Sequence, residues 1–414
     1  MKGAEGEILY DLAIIGGGVA GAGIARDASL RNLRVILFEK NTIGSGTSSR
    51  SSKLIHGGIR YLDITWKFLK RGNFHEAWKN ARFVFFSLRE ARILEKIAPH
   101  LVKPIPLLMP LYRKGPRSRW SVYIGVLLYF VLSRLTGYAR RPRIFLGPRG
   151  VLECLPTLKT EGLAGGVLFW DRVTEDKRLV EAIASSAVAR GAQVHEKTAV
   201  LSYRLDRERR IFEIRVRGEA GEKMFSAKKL VNATGPWLDE TRRLGNERGE
   251  ALLRPVAGCH INVKKFLPVS VLLEAEDSRT FFVINIGDIS RIGTTERAHA
   301  DPDHVEATDE EIDYLLRSVL CYFPQIKLSK KDILSQDAGI RPLARSGKDD
   351  PGPSSAISRE HRIVPSPSGV FHVVGVKLTD HRRAAEEAVD KIVAELGDET
   401  KGLLKKTRTH RESL

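Results

Sequence analysis

Apolar residues in this chain arrive in short runs that alternate with segments of helical period, the pattern of strands feeding helices across a sheet. Leu9 to Ile15 is one such run, followed by Gly16-Gly17-Gly18-Val19-Ala20-Gly21 and a small-residue helix from Ala20 to Ala28. A second apolar strand, Arg34 to Phe38, closes on Glu39. Thr174 to Gly191 predicts a capped helix, with Leu179, Val180, Ile183 and Ala187 on one face and Gly191 as its stop. Gln193 to Leu205 and Ile211 to Val216 predict strands, and Lys229 to Pro236 a buried strand ending in a glycine turn. Cys259 to Val263, Thr280 to Ile286 and Ser290 to Gly293 predict a second, separate sheet. Between Thr308 and Phe323, Ile312, Leu315, Leu316, Val319 and Leu320 recur at helical spacing, and Pro324 ends that helix. Finally, Val370 to Val374 predicts a strand and Asp380 to Leu396 a helix with Ala384, Ala388, Val389 and Ile392 inward, whereas Gly347 to Ser355 predicts a loop.

A chain of 414 residues buries a sizeable core and is long enough for two domains, here assembled from interleaved segments. Its formal charge of +18 implies an anionic partner without naming one. Cys154, Cys259 and Cys321 are far apart and form no Cys-x-x-Cys pair, which favours neither a disulfide framework nor a zinc site and suits a reducing cytosol. The acidic N-terminus, with Glu5, Glu7 and Asp11, does not resemble a signal peptide. Val122 to Leu132, the best apolar run, falls far short of the roughly 20 residues a membrane span needs. No nucleic-acid recognition motif accompanies the positive charge, so nucleic acid is not expected as a partner.

Three separated stretches fit together as one site. In the first, Gly16, Gly18 and Gly21 let the backbone approach a pyrophosphate whose charge sits at a helix N-terminus, and Glu39 is placed to accept hydrogen bonds from a ribose. The second, Ser51 to Tyr61, brings Lys53, His56 and Arg60 close to one another. The third, Val374 to Thr379, is a strand, a glycine and a helix start, again suited to negative charge. Together they point to a flavoenzyme.

Ser51 to Tyr61, Asn232-Ala-Thr-Gly-Pro-Trp237, Gly293-Thr-Thr295, Gly339-Ile-Arg-Pro-Leu343 and Gly375-Val-Lys-Leu-Thr379 closely resemble FAD-dependent glycerol-3-phosphate dehydrogenases. Ala98-Pro-His-Leu101 and Ile357-Ser-Arg359 match in the same order, and the likeness runs from about residue 8 to 396. This family belongs to the flavoproteins similar to D-amino-acid oxidase. The resemblance implies an α/β fold: an interrupted Rossmann-like FAD-binding domain from residues 8–62, 150–250 and 335–396, and a mixed-sheet α+β substrate-binding domain from 63–149 and 251–334. A basic tail, 397–414, would follow.

The implied substrate is glycerol 3-phosphate, whose phosphate needs cations of fork geometry; Arg60, Arg341 and Arg359 match, with Tyr61 as a further donor. Hydride transfer from C2 to flavin N5 needs a base for the hydroxyl proton, and His56 and His260 are both left open for that role. Lys377 and the helix beginning near Thr379 would meet the charge that reduction leaves on the flavin. Lys40, Thr47, Ser48, Ser51, Ser52, Lys53 and Leu54 would lie along the FAD, as would Ala233, Thr234, Gly235, Trp237, Gly375 and Leu378. Thr198, Ala199 and Val200 would meet its adenine end.

Departures from the family gather at the end of the third stretch. Val376, Asp380 and His381 stand where Gly, Thr and Tyr are usual, and Asp380 would bring an anion towards the flavin. Cys259 and Glu296 replace a serine and an aspartate, and the family's helical C-terminal domain does not follow. Another polyol phosphate or a 2-hydroxy acid as substrate, and oxygen as acceptor, therefore stay open beside glycerol 3-phosphate and a quinone, as does a homodimer. About a dozen extra residues between Leu62 and Val84 mix Trp66, Phe68, Phe74 and Trp78 with Lys67, Lys70, Arg71 and Lys79. From Lys96 to Leu152 there is no acidic residue but many Lys and Arg around the apolar Val122 to Leu132. Such a surface would rest on an anionic leaflet, placing a cytoplasmic protein on the inner face of the cell membrane, where quinone is.

Overall fold

The structure, a computed structural model, describes residues 8–59, 65, 68–115, 117–138, 140–345, 361–397 and 409–414. The expected loop Gly347 to Ser355 and most of the basic tail lie outside these residues. Two sheets organise the rest.

The first sheet begins as the alternation predicts. Strand Leu9–Ile15 pairs in parallel with Val35–Phe38 on one side and Gly221–Asn232 on the other, and Val370–Val374 continues in parallel beyond the latter. Parallel strands require crossovers, and the helices that make them cover the sheet. Helix Val19–Leu30 packs against Asp176–Val188 and against the closing helix His381–Leu396. Leu12, Ile14, Leu37, Ala22, Ile24, Leu179, Ile183, Ala388 and Ile392 form their shared core, each almost wholly buried. Every such large aliphatic side chain contributes about 1.5–3 kcal/mol.

The second sheet is mixed, and two long strands set its orientation. Val102–Tyr112 pairs antiparallel with Leu163–Thr174, and residues one apart face opposite cores. Leu107, Met109, Val167 and Phe169 pack under helices Phe74–Ile97 and Arg119–Leu135, while Leu108 and Leu168 join a separate core that also holds Leu315 and Val319 of helix Asp309–Tyr322. Thr308 and Glu311 cap that last helix reciprocally.

Strand membership moves the expected domain boundaries. Leu163–Thr174 and all of Ile333–Ala344 from residue 335 on were expected with the nucleotide-binding part, but both strands hydrogen-bond into the second sheet, as does Leu54–Ile55. Apolar runs reveal a strand but not its partner, and these partners lie far away in sequence. The described end of the basic tail is docked: Arg26 donates to the carbonyls of Thr409 and Glu412, and Arg382 to Thr409 Oγ1 at 2.8 Å.

Candidate active site

Between the two sheets lies a cavity of about 1040 Å³, at the upper end of the size range of small-molecule and cofactor sites. Its first wall is the glycine turn. Gly16 has φ +104°, and a Cβ there would lie 2.8 Å from the Ala233 carbonyl oxygen; one on Gly21 would collide with the Gly16 carbonyl. Backbone therefore reaches the cavity where side chains would block it. Helix Val19–Leu30 starts at Gly18 without a side-chain cap, and Val19 and Ala20 line the cavity with Gly16 and Gly18. Ser48 Oγ accepts from Val19 N at 3.0 Å. Glu39 accepts from Gly17 N at 2.6 Å and Asn41 N at 2.8 Å, so its carboxylate is held at the strand end where a ribose would meet it. Lys40 lies 4.3 Å from the centre of the Trp237 ring, and both donate to Asp303. Volume, glycine cradle and helix start fit a dinucleotide.

The opposite wall comes from two paired strands. In the antiparallel ladder of Leu253–Lys264 with Ile333–Ala344, His260 stands opposite Asp337, Gly258 opposite Gly339 and Val256 opposite Arg341. The two-residue period puts His260, Gly258, Gly339 and Arg341 on the cavity side. His260 lies in the strand's interior rather than at its expected start, because pairing begins at Leu253. Gly258 leaves room for the guanidinium: a Cβ there would lie 2.7 Å from Arg341 Nη2. That nitrogen donates to Thr294 Oγ1 at 2.6 Å and to the Thr295 carbonyl at 3.2 Å.

His260 is buried, and burial pushes its imidazole down to about 4, so the ring is neutral near pH 7. Its Nε2 lies 2.9 Å from Ser52 Oγ, and its Nδ1 lies 3.7 Å from Asp337, beyond hydrogen-bond reach. Burial alone would raise the Asp337 carboxyl, yet the two-pronged Arg291, both nitrogens at 2.7 Å, holds it below the usual range. Arg291 also donates to the Ser51 carbonyl, fastening the second sheet to the 51–58 stretch.

That stretch contributes Ser51, Ser52, Leu54 and His56 to the cavity, together with Thr47 and Ser48. Lys53 was expected there but does not line the cavity; its ammonium pairs with Asp176 at 2.6 Å at the start of a helix. Thr198, Ala199, Val200, Ala233, Thr234, Gly235 and Trp237 line the cavity, as do Gly375, Lys377, Leu378 and Thr379. Lys377 Nζ is 4.0 Å from the centre of the Phe83 ring. Asp380 does not face the cavity as expected: it accepts from Ser87 Oγ at 3.1 Å, between two helices. His381 is likewise turned into the packing, where Nδ1 donates to the Leu378 carbonyl at 2.7 Å. Arg60, Tyr61 and Arg359 lie outside the described residues. Sequence reasoning missed Arg50, Arg117 and Arg279, which also line the cavity. Arg50 adjoins a recognised stretch; nothing local marks the other two.

Similarities to known proteins accord with this geometry. The family described as FAD dependent oxidoreductase (DAO) matches residues 11–379. The aerobic glycerol-3-phosphate dehydrogenase of Staphylococcus haemolyticus is 33% identical over 400 residues, covering 95% of this chain and 68% of the relative; that of Staphylococcus aureus is 34% identical over 392, covering 92% and 66%. The glycerol-3-phosphate dehydrogenase from Bacillus halodurans complexed with FAD superposes with a TM-score of 0.72 at 29% identity, covering 94% of this chain and 65% of that one. This chain thus spans about two thirds of the length of these relatives.

Proposed function

The chain belongs to the FAD dependent oxidoreductase family, and on that premise we propose that it oxidises sn-glycerol 3-phosphate to dihydroxyacetone phosphate and passes the electrons to a quinone at a membrane surface. What carries the reading is one juxtaposition: the glycine turn and its helix start share a cavity with His56, His260, Arg341 and Lys377. Relatives named for glycerol 3-phosphate support the choice of substrate.

When bound, FAD supplies the hydride acceptor at its N5 atom. Arg341, with one guanidinium nitrogen fixed by Thr294 and Thr295, presents the cation for the substrate's phosphate. Arg60, Tyr61 and Arg359 complete that phosphate site on the strength of the sequence. His56 takes the hydroxyl proton. His260, an imidazole held at about 4, gains little from a proton near pH 7; it orients the substrate as a neutral ring anchored on Ser52. Lys377 and the start of the helix His381–Leu396 add positive potential to the same wall.

Attachment at the membrane rests on the helix Arg119–Leu135. Trp120, Ile124, Leu127, Val131 and Leu135 are exposed on it at spacings that place them on one face, with Arg119, Arg134 and nearby Arg113, Lys114, Arg140 and Arg141 also exposed. Phe74 and Trp78 add exposed aromatic surface on the helix Phe74–Ile97. No described helix is long and apolar enough to cross a membrane, so the protein would rest on the inner leaflet by this face.

Anaerobic titration of the flavin-loaded protein with glycerol 3-phosphate tests the reaction directly. Bleaching of the flavin absorption is the expected result. Flavin that stays oxidised with glycerol 3-phosphate but is reduced by another polyol phosphate or a 2-hydroxy acid would overturn the substrate.

A further inference from the structure

Behind the His56–Gly58 turn sits a buried polar pair that the reaction itself does not use. Tyr129, on the inner face of the helix Arg119–Leu135, donates its hydroxyl to Asp171 Oδ1 at 2.6 Å. The same hydroxyl accepts from the Gly57 amide at 2.9 Å, and Asp171 Oδ1 lies 3.5 Å from that amide. Both side chains are almost wholly buried, at 3% and 2% exposure. Burial pushes the Asp171 carboxyl up to about 6, against the pull of Tyr129 and Arg172, so holding it there costs stability. A polar pair kept in an otherwise apolar layer of Leu54, Leu88, Val126 and Phe169 calls for a role.

Its geometry supplies one. Strand Leu54–Ile55 is pinned to Arg172 and Val173 by the ladder, and the chain then leaves the sheet. His56 N donates to Thr379 Oγ1 at 3.2 Å on the cofactor side, while Gly57 N is caught by Tyr129 on the core side. Two successive amides are thereby fastened from opposite directions. A Cβ on Gly57 would lie 2.5 Å from Leu88 Cγ and 2.7 Å from Tyr129 Oη, so the backbone is pressed against this pair without slack.

We propose that Tyr129 and Asp171 are positioning residues: their hydrogen-bonded pair fixes the Gly57 amide and so aims His56 into the cavity. Their effect on turnover rests on the reaction proposed above; their effect on the backbone does not. Tyr129→Phe removes one hydroxyl and keeps the ring against Phe169. Asp171→Asn keeps the shape and removes the charge.

The test uses the flavin-loaded full chain. Amide exchange, resolved at Gly57, should show strong protection in the wild type and an increase of about tenfold or more in each variant. Flavin reduction in a single anaerobic turnover should slow by about tenfold, with substrate affinity and flavin content unchanged. The double variant should lose no more than the worse single one, because both act through one amide. Unchanged exchange and unchanged reduction in both variants would overturn the proposal, as would a Gly57 amide that exchanges freely in the wild type. If the wild type is not reduced by glycerol 3-phosphate, the substrate reading fails while the exchange measurement still decides the positioning role.

Discussion

His260 Nε2 lies 2.9 Å from Ser52 Oγ, joining a strand of the second sheet to the stretch that leaves the first. This contact ties the two halves of the site into one object. It also marks His260 as a ring held by Ser52 and kept neutral by burial.

His56→Asn and His260→Asn should therefore differ. In single-turnover flavin reduction, His56→Asn is expected to lose about a hundredfold or more, the loss of a general base, and His260→Asn clearly less. A larger loss for His260→Asn would reverse the assignment.

Arg341→Lys keeps the charge but discards the fork. Affinity for glycerol 3-phosphate should fall about tenfold or more, while the slow reduction by unphosphorylated glycerol stays the same. Equal effects on both substrates would place Arg341 away from the phosphate.

Stability should fall as the solution is acidified, and His381 is a cause that can be isolated. Burial pushes its imidazole down from 6.5 to about 4. A folded value below the unfolded one means that the folded state favours the neutral ring. This contribution is complete above about pH 6.5 and is lost as the pH falls towards 4. Thermal melts of the wild type should drop across that window, and His381→Asn should flatten the slope even if it lowers the melting temperature at pH 7.

Liposome sedimentation checks the surface helix. The wild type should pellet with anionic vesicles at low salt and much less with neutral ones, and Leu127→Glu with Val131→Glu should abolish pelleting while the flavin titration is unaffected. Pelleting that ignores vesicle charge would remove the electrostatic basis of attachment.

Much of the site was legible because its signals are local. The glycine turn, Glu39 and the Lys377 stretch each carry their chemistry within a few residues, and all reach the cavity. Errors arose where orientation depends on distant partners. Lys53 turned away because Asp176, far along the chain, holds it. Asp380 turned towards Ser87 because the closing helix lies against Phe74–Ile97 there. The segments holding Leu163–Thr174 and most of Ile333–Ala344 were expected with the nucleotide-binding part but pair into the second sheet, since pairing is not written in hydrophobic period. Tyr129 and Asp171 left no local mark at all: one lies within the apolar run Val122 to Leu132, the other in a strand whose partners are distant in sequence.

The helix Arg119–Leu135 is answerable in two directions at once. A turn of about 100° around its axis, the step of one residue, would swing its exposed apolar row aside and pull Tyr129 away from Gly57 in the same motion. A substitution that lets the helix roll would be recorded as a catalytic defect with an intact cavity.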